Sequence, residues 1–141
     1  MSMTPTDFPS GASVLVMTLS EALAPEPDWY EQAQLRERND FSYRSTVDFK
    51  QLPQADRHVA HQALWDRVLV TATDMDVLGE WLFVMGGTVS TVDLPSGQTV
   101  WTLRTSTWTD SPKFPVVPVF VSVTQATDAS VMHEIAAAVA A

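Results

Sequence analysis

The sequence predicts an α+β fold: one domain whose antiparallel sheet of about five or six strands is covered by two or three helices. Three observations carry that expectation. Apolar residues alternate with polar ones over residues 41–49 and 99–108, which is the period of a half-buried strand. Val59, Ala60, Ala63, Leu64 and Val68 instead recur at spacings of three and four, the period of an amphipathic helix. Glycine and proline punctuate the chain at Gly86 and Gly87 and again at Pro95 and Gly97, so that residues 80–124 read as a meander.

Taken in order, residues 1–11 hold two prolines and a glycine with no apolar period, which suits a flexible arm preceding one globular domain over 12–141. Residues 12–24 have the look of a secretory apolar core, but no Lys or Arg precedes Arg36, and Ser20 and Glu21 interrupt a run too short to span a bilayer. They are therefore assigned to the fold, with a buried strand at 14–19, and the protein is expected to be cytoplasmic. Asp28 followed by Glu31 fits a capping box opening a helix to about Arg38, whose thin apolar stripe is Trp29 and Ala33.

Phe41, Tyr43, Val47 and Phe49 then share one face of an expected strand, and Pro53 opens the expected main helix through residue 68. The segment 74–85 admits two readings: a helix capped by Asp74 and stopped by the glycine pair, or a strand at 80–85 turning at Gly86 and Gly87 into a strand at 88–94. The hairpin is preferred. A strand at 99–108 follows, then one at 116–123 that Pro118 assigns to an edge or a bulge, because proline donates nothing to a ladder. A short helix after Asp128, with Val131, Ile135 and Val139 in line, ends the chain.

Composition bounds the chemistry. The 141 residues are 45% hydrophobic, enough for one core that buries roughly two thirds of the unfolded surface. With no cysteine, disulfides, thiolate metal sites and a cysteine nucleophile are excluded. Seventeen acidic residues against eight basic give a net charge of −9, which repels phosphate backbones and anionic lipid, so neither nucleic acid nor membrane is expected as a partner. Lys, Ile and Asn, with AT-rich codons, are scarce, which points to a GC-rich bacterium or its phage.

No sequence motif assembles a catalytic set. His58 and His61 stand three apart near Asp56, a spacing that can converge two ligands on a metal, yet a third ligand is missing and no metal or other cofactor is expected. His133 and Glu134 are adjacent on a helix and so point about 100° apart, away from a common pocket. Neither a nucleophile elbow nor a phosphate-binding glycine loop is present.

Two features point instead to protein binding. Asp74, Asp76 and Glu80 surround Met75, Val77 and Leu78, a pattern in which charges steer a basic partner and apolar groups hold it. Trp108 falls on the strand face opposite Trp101 and Leu103, grouped with Arg104 and Ser106, where a partly exposed indole marks a contact site. The expected function is a non-enzymatic, acidic, protein-binding domain of the adaptor, secretion-chaperone or toxin-neutralising kind. The rivals are a small-molecule binder or enzyme using Asp56, His58 or His61, and a structural component of a phage or secretion assembly.

Overall fold

The computed structural model describes residues 26–109 and 115–139. The expected arm at 1–11 and strand at 14–19 lie outside the described residues. Among them, three helices and a five-stranded sheet form an α+β domain: α1 (Trp29–Lys50), β1 (Val59–Ala63), β2 (Val68–Ala72), α2 (Met75–Met85), β3 (Thr88–Asp93), β4 (Gln98–Ser106), β5 (Pro118–Ala126) and α3 (His133–Ala137).

Helix α1 opens on the expected capping box. The Glu31 amide donates to the Asp28 carboxylate at 2.9 Å, and the Asp28 amide donates back to Glu31 at 3.3 Å. It then continues twelve residues past Arg38 to Lys50, so the expected strand at 41–49 is helix. Its buried stripe is Asn39, Ser42, Tyr43, Thr46 and Val47, a helical spacing in which polar residues stand where a core is usually apolar. Phe41 and Phe49, two of the four residues that make the alternation, face solvent. Two of the three polar members have tertiary partners, while the Ser42 hydroxyl is buried without one among the described residues. Asn39 donates to the carbonyls of Leu64 and Trp65 at 2.9 and 3.0 Å, and the Trp108 amide donates to the Thr46 hydroxyl at 3.1 Å. The helix ends at Gln51, whose φ of 54° is left-handed.

The expected helix over 53–68 is likewise overturned. Val59–Ala63 and Val68–Ala72 are antiparallel strands joined by a tight turn in which the Leu64 amide donates to the Arg67 carbonyl at 2.7 Å. Val68, Val70 and Ala72 are buried alternately, a period of two, and β-branched residues fit that pleat. The three-and-four spacing arises only because the turn separates two strands.

Residues 75–85 take the other reading considered for them. The Asp74 carboxylate accepts the Asp76 amide at 2.9 Å, Val77, Leu78 and Trp81 are buried on one side, and the Gly86 amide donates to Leu82 to close the last turn. The glycine pair is a helix stop, not a hairpin turn. Both glycines have positive φ, which a chain leaving a helix directly into β3 requires.

The sheet order is β1-β2-β5-β4-β3. Strands β3, β4 and β5 form a meander as expected, though it starts at Thr88 and not at residue 80. The sheet is mixed, because β2 and β5 pair in parallel, Val68 opposite Val119 through Ala72 opposite Val123. Pro118 therefore opens a central strand and not an edge. As the strand's first residue, it lacks an amide only where the ladder begins, opposite Ser106.

One face of the sheet carries the core. Val70, Val119, Val121, Leu103 and Val89 pack with Leu78 and Trp81 of α2, Tyr43 of α1 and Ile135 of α3. Beyond α3 the chain returns to the β3 edge, where the Val89 amide donates to the Ala138 carbonyl at 3.0 Å and Val139 pairs with Val89. Trp101 and Leu103 contribute to this core, as their phase in the strand predicts.

Candidate protein-interaction surface

Helix α2 buries Val77, Leu78 and Trp81 against the sheet, so Asp76, Glu80 and Phe83, spaced at i, i+4 and i+7, form its outward stripe, while Gly79 abuts Met132 and Ile135. Phe83 is 90% exposed. Beside it, α2 and α3 enclose a groove of about 360 Å³ with Leu82, Phe83, Met132 and Ile135 as its apolar surface. Asp76, Glu80 and Glu134 supply three carboxylates to the same groove. Gly79 sets its depth, since a Cβ there would collide with the terminal methyl of Met132. The missing side chain lets Met132 lie directly on the helix.

Asp76 and Glu80 also border a second concavity, of about 410 Å³, whose further walls include Asp56, His58, Thr73 and Asp74. The polar groups here are largely engaged with each other. Asp56 accepts the amides of His58 and Val59 at 2.6 and 3.0 Å. His58 Nδ1 lies 3.1 Å from the Thr73 hydroxyl, and Arg57 Nε donates to His58 Nε2 at 3.1 Å. Asp74 is occupied as the α2 cap. Asp76 and Glu80 thus form a ridge of two carboxylates between an apolar groove and a polar one.

Of the four residues expected to bind a partner, the structure brings together Asp74, Asp76 and Glu80 but not Trp108. Asp74 follows the C-terminal end of β2, while Trp108 follows that of β4. Because β4 is antiparallel to β5 and β5 is parallel to β2, those ends lie on opposite rims of the sheet. Trp108 is half-buried, stacked on Phe49 at 4.2 Å between ring centres and 4° between planes, with Lys50 Nζ 5.3 Å from its ring.

The two histidines do not converge. His61 is on β1 and turns toward α1, its Nε2 2.7 Å from Asp40 Oδ1, while Arg44 Nε bonds the other oxygen of Asp40 at 2.8 Å. Among the described residues no group of three His, Asp or Glu is placed to hold a metal ion. Tyr43 stacks on Trp81, at 5.8 Å between ring centres, and its ring centre lies 4.3 Å from that of His61, tilted by 30°. Burial, and secondarily the Asp40 carboxylate, pushes the Tyr43 phenol from 10.0 up to about 12.

A raised phenol means that the folded state favours the neutral form, so its contribution is complete below pH 10 and is lost as pH rises from 10 through about 12. Stability is expected to fall by roughly 2–3 kcal/mol across that window. Only two tyrosines are present, so in a Tyr30→Phe background the phenolate absorbance reports Tyr43 alone. Phenolate formation centred near pH 10 in protein that stays folded would contradict the buried environment.

Phe83, Gly79, Met132 and Glu134 are the groove residues that sequence reasoning missed. Their signal was present: on a helix, Phe83 falls out of phase with Val77, Leu78 and Trp81. It is lost when 80–85 is read as a strand. Among the described residues no helix is long and apolar enough to cross a membrane. No family model, no curated protein and no solved structure matches this chain.

Proposed function

We propose that this chain is a non-enzymatic protein-binding domain, of the adaptor, secretion-chaperone or toxin-neutralising kind, that engages a basic partner through the outward stripe of α2. One observation carries the reading: Phe83 stands 90% exposed on a regular helix, at a groove edged by Asp76, Glu80 and Glu134. A bare aromatic anchor ringed by charge is the anatomy of an interface, where aromatic side chains contribute most of the affinity and charges accelerate encounter. The net charge of −9 extends the steering field and disfavours acidic partners.

The test places a photoreactive phenylalanine analogue at position 83 in cells that produce the protein, with the same analogue at the exposed Trp29 as control. Adducts specific to position 83, and diminished by Asp76→Asn with Glu80→Gln, are expected. With the crosslinked partner purified, Phe83→Ser should weaken binding about 10- to 100-fold at unchanged melting temperature, and association should slow as salt rises. Identical adducts from both positions, indifferent to the charge substitutions, would remove α2 as the site.

A second reading has its own support. The Asp40 carboxylate orients His61 beside a cleft of about 250 Å³ that also presents Arg44, Asp48 and Gln54, an arrangement open to a small polar ligand. Ligand-induced shifts confined to His61 and Arg44 in a metabolite screen would favour it over the protein-binding reading.

A further inference from the structure

We infer that the partner presents a helix carrying two basic side chains one turn apart and an apolar side chain a further turn along, laid against α2. The inference rests on the protein-binding reading above and specifies its ligand. Asp76, Glu80 and Phe83 occupy one stripe, with Asp76 and Glu80 four residues apart and Phe83 three beyond. A helix rises about 1.5 Å per residue, so the two carboxylates are separated along the axis by about 6 Å and the aromatic lies about 4.5 Å further. A second helix packed alongside repeats the same rise, so its own side chains meet all three positions in register, at i, i+4 and i+7 if it runs parallel to α2 and at i, i+3 and i+7 from the apolar end if antiparallel.

The chemistry at each position follows from its surroundings. The groove at the Phe83 end is formed by Leu82, Met132 and Ile135, flexible or branched apolar side chains that accept a Leu, Met or Phe. The Asp76 end opens on the second concavity, where Asp56 and Asp74 add carboxylates beyond the ridge. Arg57 is the cation nearest in sequence to those walls, and it is engaged with His58. A partner's Arg or Lys reaching over the ridge thus enters a region of negative charge, while its apolar neighbour leaves water for the groove. Glu134, which also lines the groove, admits a further basic residue beside the anchor.

A displayed library of randomised helical peptides, selected on the purified full chain at physiological salt, tests this. Enriched sequences should carry Arg or Lys at i and i+4 with Leu, Met or Phe near i+7, or the same pattern in reverse order. For a synthetic peptide of the enriched sequence, replacing the apolar residue by serine at constant charge should weaken binding at least tenfold. Replacing both basic residues by glutamine should weaken it similarly and abolish its salt dependence. Protein carrying Phe83→Ser should lose the preference for the apolar residue and keep the salt dependence, whereas Asp76→Asn with Glu80→Gln should do the reverse. Peptides that bind α2 through charge alone, indifferent to the apolar residue and to Phe83→Ser, would overturn the inference and also remove Phe83 as the anchor of the protein-binding reading. Enrichment of sequences alternating with a period of two would also overturn the helical assignment. Selected peptides that ignore both sets of protein variants would overturn this inference and the protein-binding surface together.

Discussion

Trp81→Ala is expected to lower the free energy of unfolding by about 3–5 kcal/mol, the cost of removing a large aromatic from a packed core. Trp81 has no exposed surface and stacks on Tyr43 with 11° between ring planes, so it joins α2 to α1 over the sheet. A domain of this size is stable by about 5–15 kcal/mol, so the substitution consumes a large share of the total. The melting temperature should fall by roughly 10–20 °C. Denaturant unfolding with an unchanged slope and a lower midpoint is the measurement that checks it. A loss below about 1 kcal/mol would mean that α1 and α2 do not depend on this contact.

The second large effect belongs to Gly87→Ala. At φ 126° the residue lies where L side chains are strained, and an added Cβ would strike the main-chain carbonyl of Arg104. That oxygen cannot retreat without opening the β3–β4 ladder at the neighbouring pair, Thr88 opposite Arg104. Backbone strain of about 1–3 kcal/mol and the clash add together, so destabilisation above about 3 kcal/mol is expected. Gly86→Ala is the comparison. Its φ is 75° and nothing stands within 4 Å of the place a Cβ would take, so it bears the backbone strain alone. Equal melting temperatures for the two variants would contradict the close approach at Gly87.

What the sequence discloses and what it conceals divide along physical lines. The start of α1 is legible because a capping box is a local device, complete within Asp28 and Glu31. The meander from β3 to β5 is legible because alternation and the turn at Gly97 are local too. The second half of α1 is not, because its inward residues Asn39 and Thr46 bond to Leu64, Trp65 and Trp108, partners far along the chain. The site follows the same division. Asp74, Asp76 and Glu80 stand out as a cluster in the sequence, but Phe83 stands out as an exposed aromatic only once α2 is known to be a helix with Trp81 inward. Glu134 and Met132 join it solely through the docking of α3.

The parallel pairing of β2 with β5 also sets a timetable. Val68 meets Val119 across about fifty residues of intervening chain, and β5 has β2 on one side and β4 on the other. A ribosome adds roughly 5–20 residues per second, so β2 emerges about 3–10 s before its central neighbour exists. During that interval the β1–β2 hairpin has no sheet to join and leaves Val68 and Val70 without their cover. The nascent chain therefore cannot complete its core from the amino end forward. The core is complete only once β5 has been added between β2 and β4.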